Sequence, residues 1–471
     1  MGQNSEQHVE QNVILHLGLG SFHRAHQAVY LDRLIERGDM SWAIVGANLR
    51  NDMADTMAGL MAQRGEYTLE TVTPAGVRAY RRVRAIREVL PFDASLAAVI
   101  DAGAQPSTRI IAFTVTEAGY YLDPKNQLDL GFADIVSDLA GRSALTIYGA
   151  IAKILTERMA RQGGPVTLLN CDNLRSNGDR FRAGLLDFLV RRGDAELAAW
   201  VTQNTSCPNA MVDRITPRPP ADLAARVAAT TGWADRAPVM AEDFIQWVIE
   251  DRFKAGRPAW ETVGAEMVDS VHAHEEAKIR ILNATHSGMA WAGSLLGLTF
   301  IHEDVAVPWI RRIAFNYVTD DVIPCLDTPE HPSPVDLPRY RDVVIDRFSN
   351  PYLQDTNQRV AMDGFSKIPG FIAPTIRERL DAGASIASTA RLPALFFEFL
   401  RRRHEGGIGF EYHDQAMDPA AVPAWLAAAD PIAAFCHDTI LWGPMAGSSV
   451  LTEAVRAAHL EVLALIQKAQ P

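Results

Sequence analysis

A buried strand followed by a glycine turn constrains the fold more strongly than any other stretch of the chain. The apolar run 13–17 has the pattern of a buried strand, and Gly18-Leu19-Gly20 leads into a helical pattern that stops at Gly38. In a dinucleotide-binding fold the first glycine permits the tight turn, and the second lets the backbone approach a pyrophosphate at the helix N-terminus. His23 replaces the third glycine of the G-x-G-x-x-G motif, so a glycine-rich turn in another kind of α/β protein is the alternative.

Further apolar runs extend this pattern into a sheet. Residues 42–45, 109–115 and 165–169 have the pattern of buried strands. Residues 67–72 and 77–83 are joined by a short segment with proline and glycine, which predicts a hairpin. We therefore predict an α/β fold in which a Rossmann-type N-terminal domain contains an inserted hairpin.

The sequence changes character near residue 271. A chain of 471 residues exceeds what one hydrophobic core normally supports, so two domains are expected. Residues 267–271 have the pattern of a last short strand, and helical periods dominate beyond them. We predict a dinucleotide-binding Rossmann domain over 1–270 and a mainly α-helical domain, which binds substrate and carries catalytic groups, over 271–471.

Composition narrows the class of ligand. The formal net charge of −12 disfavours nucleic acid and acidic membranes, and no apolar run is long enough to cross a bilayer. The polar segment 1–12 lacks the features of an export signal. The four cysteines form no C-x-x-C pair, which favours a reduced cytoplasmic protein without a zinc site. We therefore expect a small neutral substrate, with no nucleic acid and no membrane as partner.

Side chains after the second predicted strand bear on the choice of cofactor. An acidic residue normally binds the adenosine ribose at this place. Here Asn48 stands near the expected position, and Asp52 comes somewhat late. Arg50 suits a 2′-phosphate equally well. The sequence therefore leaves both NAD and NADP open.

Polar residues that follow other predicted strands are further candidates. Glu117 would lie at the sheet edge where ligands bind in this architecture, although an exposed loop glutamate is the more frequent case. Asn173 offers an amide donor to a substrate oxygen, with Asn170 or Asp172 holding the turn, and the alternative is that these residues cap the next helix. Asp213 is either an ion-pair partner or a site residue.

One helical stretch places four polar groups in an apolar run. If the direction of Lys278 around the helix axis is set to zero and each residue rotates by about 100°, Glu275 lies at about 60°, His286 at about 80° and Asn283 at about 140°. A lysine can serve as general base for an alcohol when desolvation or nearby cations lower its pKa from about 10.4. The amide of Asn283 would donate to the oxygen that gains negative charge, and His286 would bind the same oxygen or a neighbouring hydroxyl. The alternative is an ordinary solvated helix face.

Taken in order, these segments resemble the polyol-specific long-chain dehydrogenases. The similarity spans nearly the whole chain, and the spacing of the lysine, asparagine and histidine is its most specific part. The segments that carry it are 18–24 (GLGSFHR), 116–120 (TEAGY), 171–174 (CDNL), 211–217 (MVDRITP), 278–286 (KIRILNATH) and 357–369 (NQRVAMDGFSKIP).

The resemblance implies a role for each matched catalytic residue. Lys278 would be the general base, and Asn173 with Asn283 would stabilise the developing alkoxide. His286 would orient a substrate hydroxyl next to the reacting carbon. Glu275 would pass the proton onward from the lysine.

The resemblance also implies binding residues. Arg359 and Lys367 would reach hydroxyls further along the substrate, and Asp213 would lie near them. The residues expected at the cofactor are Gly18, Gly20, Phe22, His23, Arg24, Asn48, Asp52 and Glu117.

The implied activity is the reversible, NAD-dependent and metal-independent oxidation of a secondary alcohol in an acyclic polyol. The leading reaction is D-arabinitol to D-xylulose. Mannitol, or a uronate such as fructuronate or tagaturonate, is the alternative substrate, and NADP is not excluded. A catalytically inactive nucleotide-binding sensor is less expected because Lys278 is present. The resemblance implies a monomer or a small homo-oligomer.

Overall fold

The computed structural model describes residues 11–123 and 127–469. Within them the chain forms two compact units, one with residues 11–72 and 78–272 and one with residues 73–77 and 273–469. Residues 1–10, most of the segment for which the sequence predicts no export signal, lie outside the described residues.

The first unit contains the strands. They are β1 Asn12–Leu17, β2 Trp42–Ala47, β3 Tyr67–Val72, β4 Arg78–Val83, β5 Ile86–Val89, β6 Thr108–Phe113, β7 Val166–Asn170, β8 Thr205–Ser206, β9 Ala210–Asp213, β10 Val239–Glu242, β11 Gln246–Glu250 and β12 Glu266–Val268.

Six of these strands form a parallel sheet in the order β5-β2-β1-β6-β7-β8. Strands β2 and β7 are buried along their whole length, as expected for a parallel sheet covered on both faces. Successive side chains of β1 point to opposite faces, so Val13, Leu15 and Leu17 enter one apolar core while Ile14 enters the other.

The predicted hairpin belongs to a separate small sheet. Strands β3 and β4 pair antiparallel, and β10 adds to β3 in parallel. A third sheet has the order β12-β11-β9. The hairpin is therefore confirmed, with a third strand that the sequence pattern did not predict.

Helices cover the large sheet. Those of the first unit are α1 Ser21–Ala25, α2 Gln27–Glu36, α3 Ala54–Ala62, α4 Ala97–Ala104, α5 Ala133–Leu139, α6 Ile147–Ala160, α7 Asn177–Arg192, α8 Ala195–Asn204 and α9 Leu223–Thr231. Short 3₁₀ turns lie at Glu117–Tyr120 and Trp260–Val263.

The second unit is helical throughout its regular elements. Its α-helices are α10 His272–Ala277, α11 Ala284–Leu295, α12 Ile301–Ala306, α13 Pro308–Asn316, α14 Ile323–Leu326, α15 Leu337–Phe348, α16 Asn357–Ala361, α17 Gly364–Lys367, α18 Ala373–Asp381, α19 Arg391–His404, α20 Ala421–Ala427, α21 Pro431–Cys436, α22 Thr439–Trp442 and α23 Ser449–Ala469. Three π turns occupy Lys278–Asn283, Tyr317–Val322 and Ile368–Ile372, and a 3₁₀ turn occupies Gly443–Met445.

Helices α11, α19 and α23 contribute to the core of this unit. The ring of Trp291 packs on Phe396 with centroids 4.7 Å apart, and its indole N–H donates to the carbonyl of Ala361 at 3.1 Å. Buried apolar side chains on successive helices therefore fix where the polar stretch near residue 280 lies. Among the described residues we find no helix whose length and hydropathy suit a membrane-spanning segment.

Candidate active site

The glycine turn of the first unit adopts the conformation that the sequence predicts. Gly18 has a φ of +112°, and a Cβ there would lie 2.4 Å from the carbonyl oxygen of Thr114. Only glycine fits this position without strain. Gly20 is the N-cap residue of α1, and a Cβ there would have no protein atom within 4 Å. The turn thus has one glycine that the fold requires and one whose outer side is open.

Two stacked imidazoles occupy the place of the missing third glycine. His23 on α1 stacks on His16 of β1, with centroids 3.4 Å apart and planes 17° apart. Burial lowers the pKa of His16 to about 3, and burial with the neighbouring His16 charge lowers the pKa of His23. Two stacked rings therefore fill the contact between α1 and β1 at the position where glycine is usual.

Other expected cofactor residues of this turn serve its structure. Arg24 is buried, and its Nε donates to the carbonyl of Leu19 at 3.2 Å. Phe22 is half-buried and stacks on His26, with centroids 5.0 Å apart. The side chains of Arg24 and His23 are buried, so they support the turn from the protein interior.

Asn48 also holds the glycine turn. Its Oδ1 accepts a hydrogen bond from the backbone N–H of Leu19 at 2.8 Å. Asp52 is exposed at the start of the segment that leads to α3. Arg50 donates through Nη2 to Tyr121 Oη at 2.7 Å and to Asp134 Oδ2 at 2.8 Å. The guanidinium considered for a 2′-phosphate is thus paired with a carboxylate within this unit.

A buried carboxylate organises the carboxyl edge of β6 and β7. Asp172 Oδ1 accepts from the backbone N–H groups of Val115 at 3.0 Å and Thr116 at 2.8 Å, and Tyr120 donates to its Oδ2 at 3.1 Å. Burial raises the pKa of Asp172 to about 6. These bonds hold Thr116 at a φ of +64°, immediately before Glu117.

The remaining candidates of the first unit lie at strand ends. Glu117 is exposed in its 3₁₀ turn, and Asn173 is exposed directly after Asp172. Asp213 is buried as the last residue of β9, and the adjacent Arg214 donates to the carbonyl of Ala25 at 2.6 Å. The sequence leaves Asn170 or Asp172 to hold the turn before Asn173, and the hydrogen bonds of Asp172 to Val115, Thr116 and Tyr120 fit that role.

In the second unit a π turn underlies the polar stretch. Lys278–Asn283 forms this turn between α10 and α11, so the prediction of a regular α-helix is wrong here. A π turn closes i→i+5 hydrogen bonds and holds more residues than the 3.6 of an α turn. Each residue therefore rotates by less than about 100°. Asn283 and His286 consequently lie closer to the direction of Lys278 than the sequence-based angles predict.

Lys278 is buried among other ionisable side chains. Glu275 and Glu276, on the preceding turn, are buried as well. Arg280 donates to Glu276 Oε2 at 2.7 Å and to both oxygens of Glu378 at 2.6 and 2.7 Å. The neighbouring guanidinium is thus neutralised by two carboxylates, which lets a charged cluster exist in the interior.

His286 has a defined environment on α11. Its Nε2 lies 3.0 Å from Oδ2 of Asp355, and its ring stacks on Phe348 with centroids 4.7 Å apart. Burial lowers the pKa of His286, against the opposing effect of the Asp355 charge. Arg359, which is largely exposed, donates through Nε to Oδ1 of the same carboxylate at 3.0 Å.

Lys367 is the last residue of α17. Its Nζ donates to the carbonyl of Val360 at 2.7 Å. Burial lowers its pKa to about 8, with Asp363 opposing and Arg359 reinforcing the shift. A lysine with this pKa changes its charge in the mildly alkaline range.

The structure therefore assembles the candidates within each unit. In the second unit Glu275, Lys278, Asn283 and His286 share one continuous helical stretch, and His286 shares a carboxylate with Arg359. The first unit contains the glycine turn and the strand-end residues. Sequence reasoning missed Asp355, which no local motif marks. The described residues contain no group of three or more His, Cys, Asp or Glu side chains placed to hold a metal ion.

Two family models match nearly all of the chain. Residues 12–262 match the mannitol dehydrogenase Rossmann domain, and residues 270–463 match the mannitol dehydrogenase C-terminal domain. The chain therefore belongs to the mannitol dehydrogenase family, as an oxidoreductase of the polyol dehydrogenase class. The predicted resemblance and the predicted fold class are confirmed.

Individual relatives agree with this placement. D-arabinitol 4-dehydrogenase of Ralstonia nicotianae is 58% identical over 453 residues, covering 96% of each chain. D-arabinitol 4-dehydrogenase of Klebsiella pneumoniae is 52% identical over 452 residues, covering 96% of this chain and 98% of its own. The structure of Pseudomonas fluorescens mannitol 2-dehydrogenase in ternary complex with NAD and D-mannitol is similar with a TM-score of 0.82, at 33% identity over 98% of this chain and 95% of that one.

Proposed function

We propose that this enzyme oxidises the secondary alcohol of an acyclic polyol with NAD, and that D-arabinitol, converted reversibly to D-xylulose, is its substrate. The observation that carries the proposal is the buried Lys278 on a π turn that also bears Asn283 and leads to His286. High identity to two D-arabinitol 4-dehydrogenases over nearly the full length supports the choice of substrate.

Lys278 is proposed as the general base. Burial disfavours the charged ammonium, so it favours an amine that can accept the hydroxyl proton. Glu275 lies one helical turn before it and is buried too, which suits a carboxylate that passes the proton onward. This route needs no metal-bound hydroxide, so we propose a metal-independent reaction.

Amide donors are proposed to stabilise the oxygen that loses its proton. Asn283 lies at the end of the π turn and is partly accessible, so its side-chain N–H groups can reach a ligand. Asn173, an exposed residue of the first unit, is proposed as the second donor. Donors that are already oriented stabilise developing negative charge more effectively than water does.

Three basic side chains of the second unit are proposed to bind the rest of the substrate. His286, Arg359 and Lys367 would contact hydroxyls away from the reacting carbon, and Asp213 is proposed near the same site. Such contacts fix the stereochemistry at which the base acts. We assign substrate binding mainly to the second unit and dinucleotide binding to the first.

The glycine turn fits a dinucleotide. Gly18 gives the tight turn, and the open side of Gly20 lets a pyrophosphate approach the backbone. When bound, NAD supplies the nicotinamide that accepts a hydride from the secondary carbon. We propose that Asp52 and Glu117, both exposed, contact the cofactor. Pairing of Arg50 with Asp134 supports NAD over NADP, because the guanidinium already has an anionic partner.

Mannitol is the second candidate substrate. The similar Pseudomonas fluorescens structure is a complex with NAD and D-mannitol, which supports this alternative within the same class. A uronate would need a free cation for its carboxylate, and Arg359 is already paired with Asp355. We further propose a monomer or small homo-oligomer. We place the protein in the cytoplasm because its four cysteines are free thiols, which a reducing compartment maintains.

Initial rates with D-arabinitol, mannitol and fructuronate, each with the oxidised or reduced forms of both cofactors, test the proposal. We expect NADH formation to be fastest with D-arabinitol and D-xylulose to be the product. Lys278→Ala should lower kcat by about 10² to 10⁴ while NAD still binds. Lys468→Ala, on the exposed end of α23, is the control and should keep full activity. If Lys278→Ala retains most of its turnover, the assignment of Lys278 as general base is rejected. If mannitol is turned over faster than D-arabinitol, the assignment of the substrate is rejected.

A further inference from the structure

One carboxylate joins two side chains that are proposed to bind substrate. Asp355 Oδ2 lies 3.0 Å from His286 Nε2, and Oδ1 accepts from Arg359 Nε at 3.0 Å and Nη2 at 2.5 Å. The Asp355 side chain is only 9% exposed, whereas that of Arg359 is 67% exposed. The nearly buried carboxylate thus accepts hydrogen bonds from Arg359 through Oδ1, while Oδ2 lies within ion-pair distance of the imidazole.

The backbone around Asp355 is held firmly. Its carbonyl accepts from the N–H of Ile301 at 3.0 Å, and the N–H of Asn357 donates to Thr299 at 2.9 Å. The side chain of Asn357 donates to Asp304 Oδ1 at 2.9 Å, which ties the start of α16 to α12. The backbone at Asp355 is therefore fixed in position, so its carboxylate can orient its partners.

Charge and packing restrict the imidazole further. Burial alone would raise the pKa of Asp355, but the adjacent imidazole of His286 and the guanidinium of Arg359 lower it to about 2. Lys367 also acts electrostatically on His286 and on Asp355. Phe348 stacks on the ring and limits its rotation. An ionised carboxylate beside Nε2 requires the hydrogen to be on that nitrogen, and a neutral ring then has an unprotonated Nδ1.

We propose that Asp355 is a positioning residue that fixes the Nε2–H tautomer of His286, so that Nδ1 accepts a hydrogen bond from a substrate hydroxyl, and that it orients Arg359 at the same time. The inference rests on the proposed function and adds a residue to it. Asp355 acts only through its two partners and does not touch the substrate itself. Substrate recognition by His286 and Arg359 is therefore coupled.

The asparagine variant gives a sharp structural test. In Asp355→Asn the Arg359 donors keep the carbonyl oxygen on their side, so the amide N–H₂ faces His286 Nε2. That nitrogen must then accept, and the hydrogen moves to Nδ1. We expect ¹⁵N chemical shifts of labelled histidine to show the Nε2–H tautomer of His286 in the wild-type protein and the Nδ1–H tautomer in Asp355→Asn. His286→Asn assigns the signal.

Kinetics provide a second readout. We expect Asp355→Asn to raise the KM for polyol by about tenfold while the KM for NAD stays unchanged. Asp430→Asn is the matched control, because it removes a carboxylate from the pair with Arg456 and keeps an acceptor at the N-cap of α21. It should leave both constants unchanged.

A double-mutant cycle separates positioning from a general effect on stability. If Asp355 acts through His286, Asp355→Asn should cost at least about fivefold less in kcat/KM in the His286→Asn background than in wild type. Equal losses in both backgrounds, or an unchanged tautomer, would overturn the proposal. If the wild-type enzyme oxidises no polyol, the proposed function fails, and the tautomer measurement still decides whether Asp355 positions His286.

Discussion

Alanine at Gly18 should lower the stability of the protein, whereas alanine at Gly20 should lower its affinity for NAD. At Gly18 an alanine must adopt a φ of +112° and place its Cβ 2.4 Å from the carbonyl oxygen of Thr114. The left-handed conformation costs about 1 to 2 kcal/mol, and overpacking costs about 1 to 3 kcal/mol. We expect the free energy of unfolding to fall by about 2 to 5 kcal/mol in total, which is about 5 to 20 °C in melting temperature.

At Gly20 the same change meets no protein atom within 4 Å, and the backbone has a φ of −66° that alanine accepts. The cofactor-free protein should therefore be as stable as wild type, or more stable by about 0.4 to 1 kcal/mol. Because the methyl group occupies the space proposed for the pyrophosphate, the dissociation constant for NAD should rise at least about tenfold, or about 1.4 kcal/mol.

Calorimetry measures both quantities, by thermal unfolding without cofactor and by titration with NAD. The two variants are each other's control, since they make the same chemical change two positions apart. Unaltered NAD affinity in Gly20→Ala would refute the proposed place of the pyrophosphate. Wild-type stability in Gly18→Ala would refute the steric argument.

Three further outcomes follow from single contacts. Asp134→Ala removes the anionic partner of Arg50, so the kcat/KM ratio of NADP to NAD should rise about tenfold; an unchanged ratio would mean that Arg50 does not limit NADP use. Buried neutral His16 and His23 must gain protons on unfolding, so stability should fall as pH drops below about 6.5 towards 3, and His23→Leu should reduce that slope by up to about 1.4 kcal/mol per pH unit in urea titrations. Burial raises the pKa of Asp304 to about 8, so the protonated carboxyl of the folded protein contributes stability that is lost as pH rises from about 4 to 8. Asp304→Asn should therefore raise the melting temperature at pH 8 but not at pH 4.

The regular elements were predictable because burial fixes their pattern. The predicted run 13–17 matches Asn12–Leu17, since strands covered on both faces are continuously apolar. The predicted strand 109–115 instead ends at Phe113, where Thr114 turns back to hydrogen bond with the carbonyl of Gly18 at 2.8 Å. Strand ends are set by such contacts between distant segments, which no local pattern contains.

The candidate site was predictable in its residue types and less so in its geometry. Lys278, Asn283 and His286 have a helical spacing, but apolar residues around them suit an α turn and a π turn equally. Asn48 stands where a ribose contact is usual and instead bonds to Leu19, because only the folded turn places that N–H beside it. Asp355 precedes a short helix in a polar segment, and its role depends entirely on tertiary contacts.

The π turn can be regarded as an α-helix that contains one surplus residue. Removing a residue between Lys278 and Asn283 would restore ordinary i→i+4 bonding and a well-formed backbone, so the altered protein should still fold. At about 100° per residue, the asparagine would then lie about 40° and the histidine about 20° from the direction of the lysine, so both would still face it. The π turn therefore accommodates its surplus residue without changing the relative directions of the side chains on either side of it.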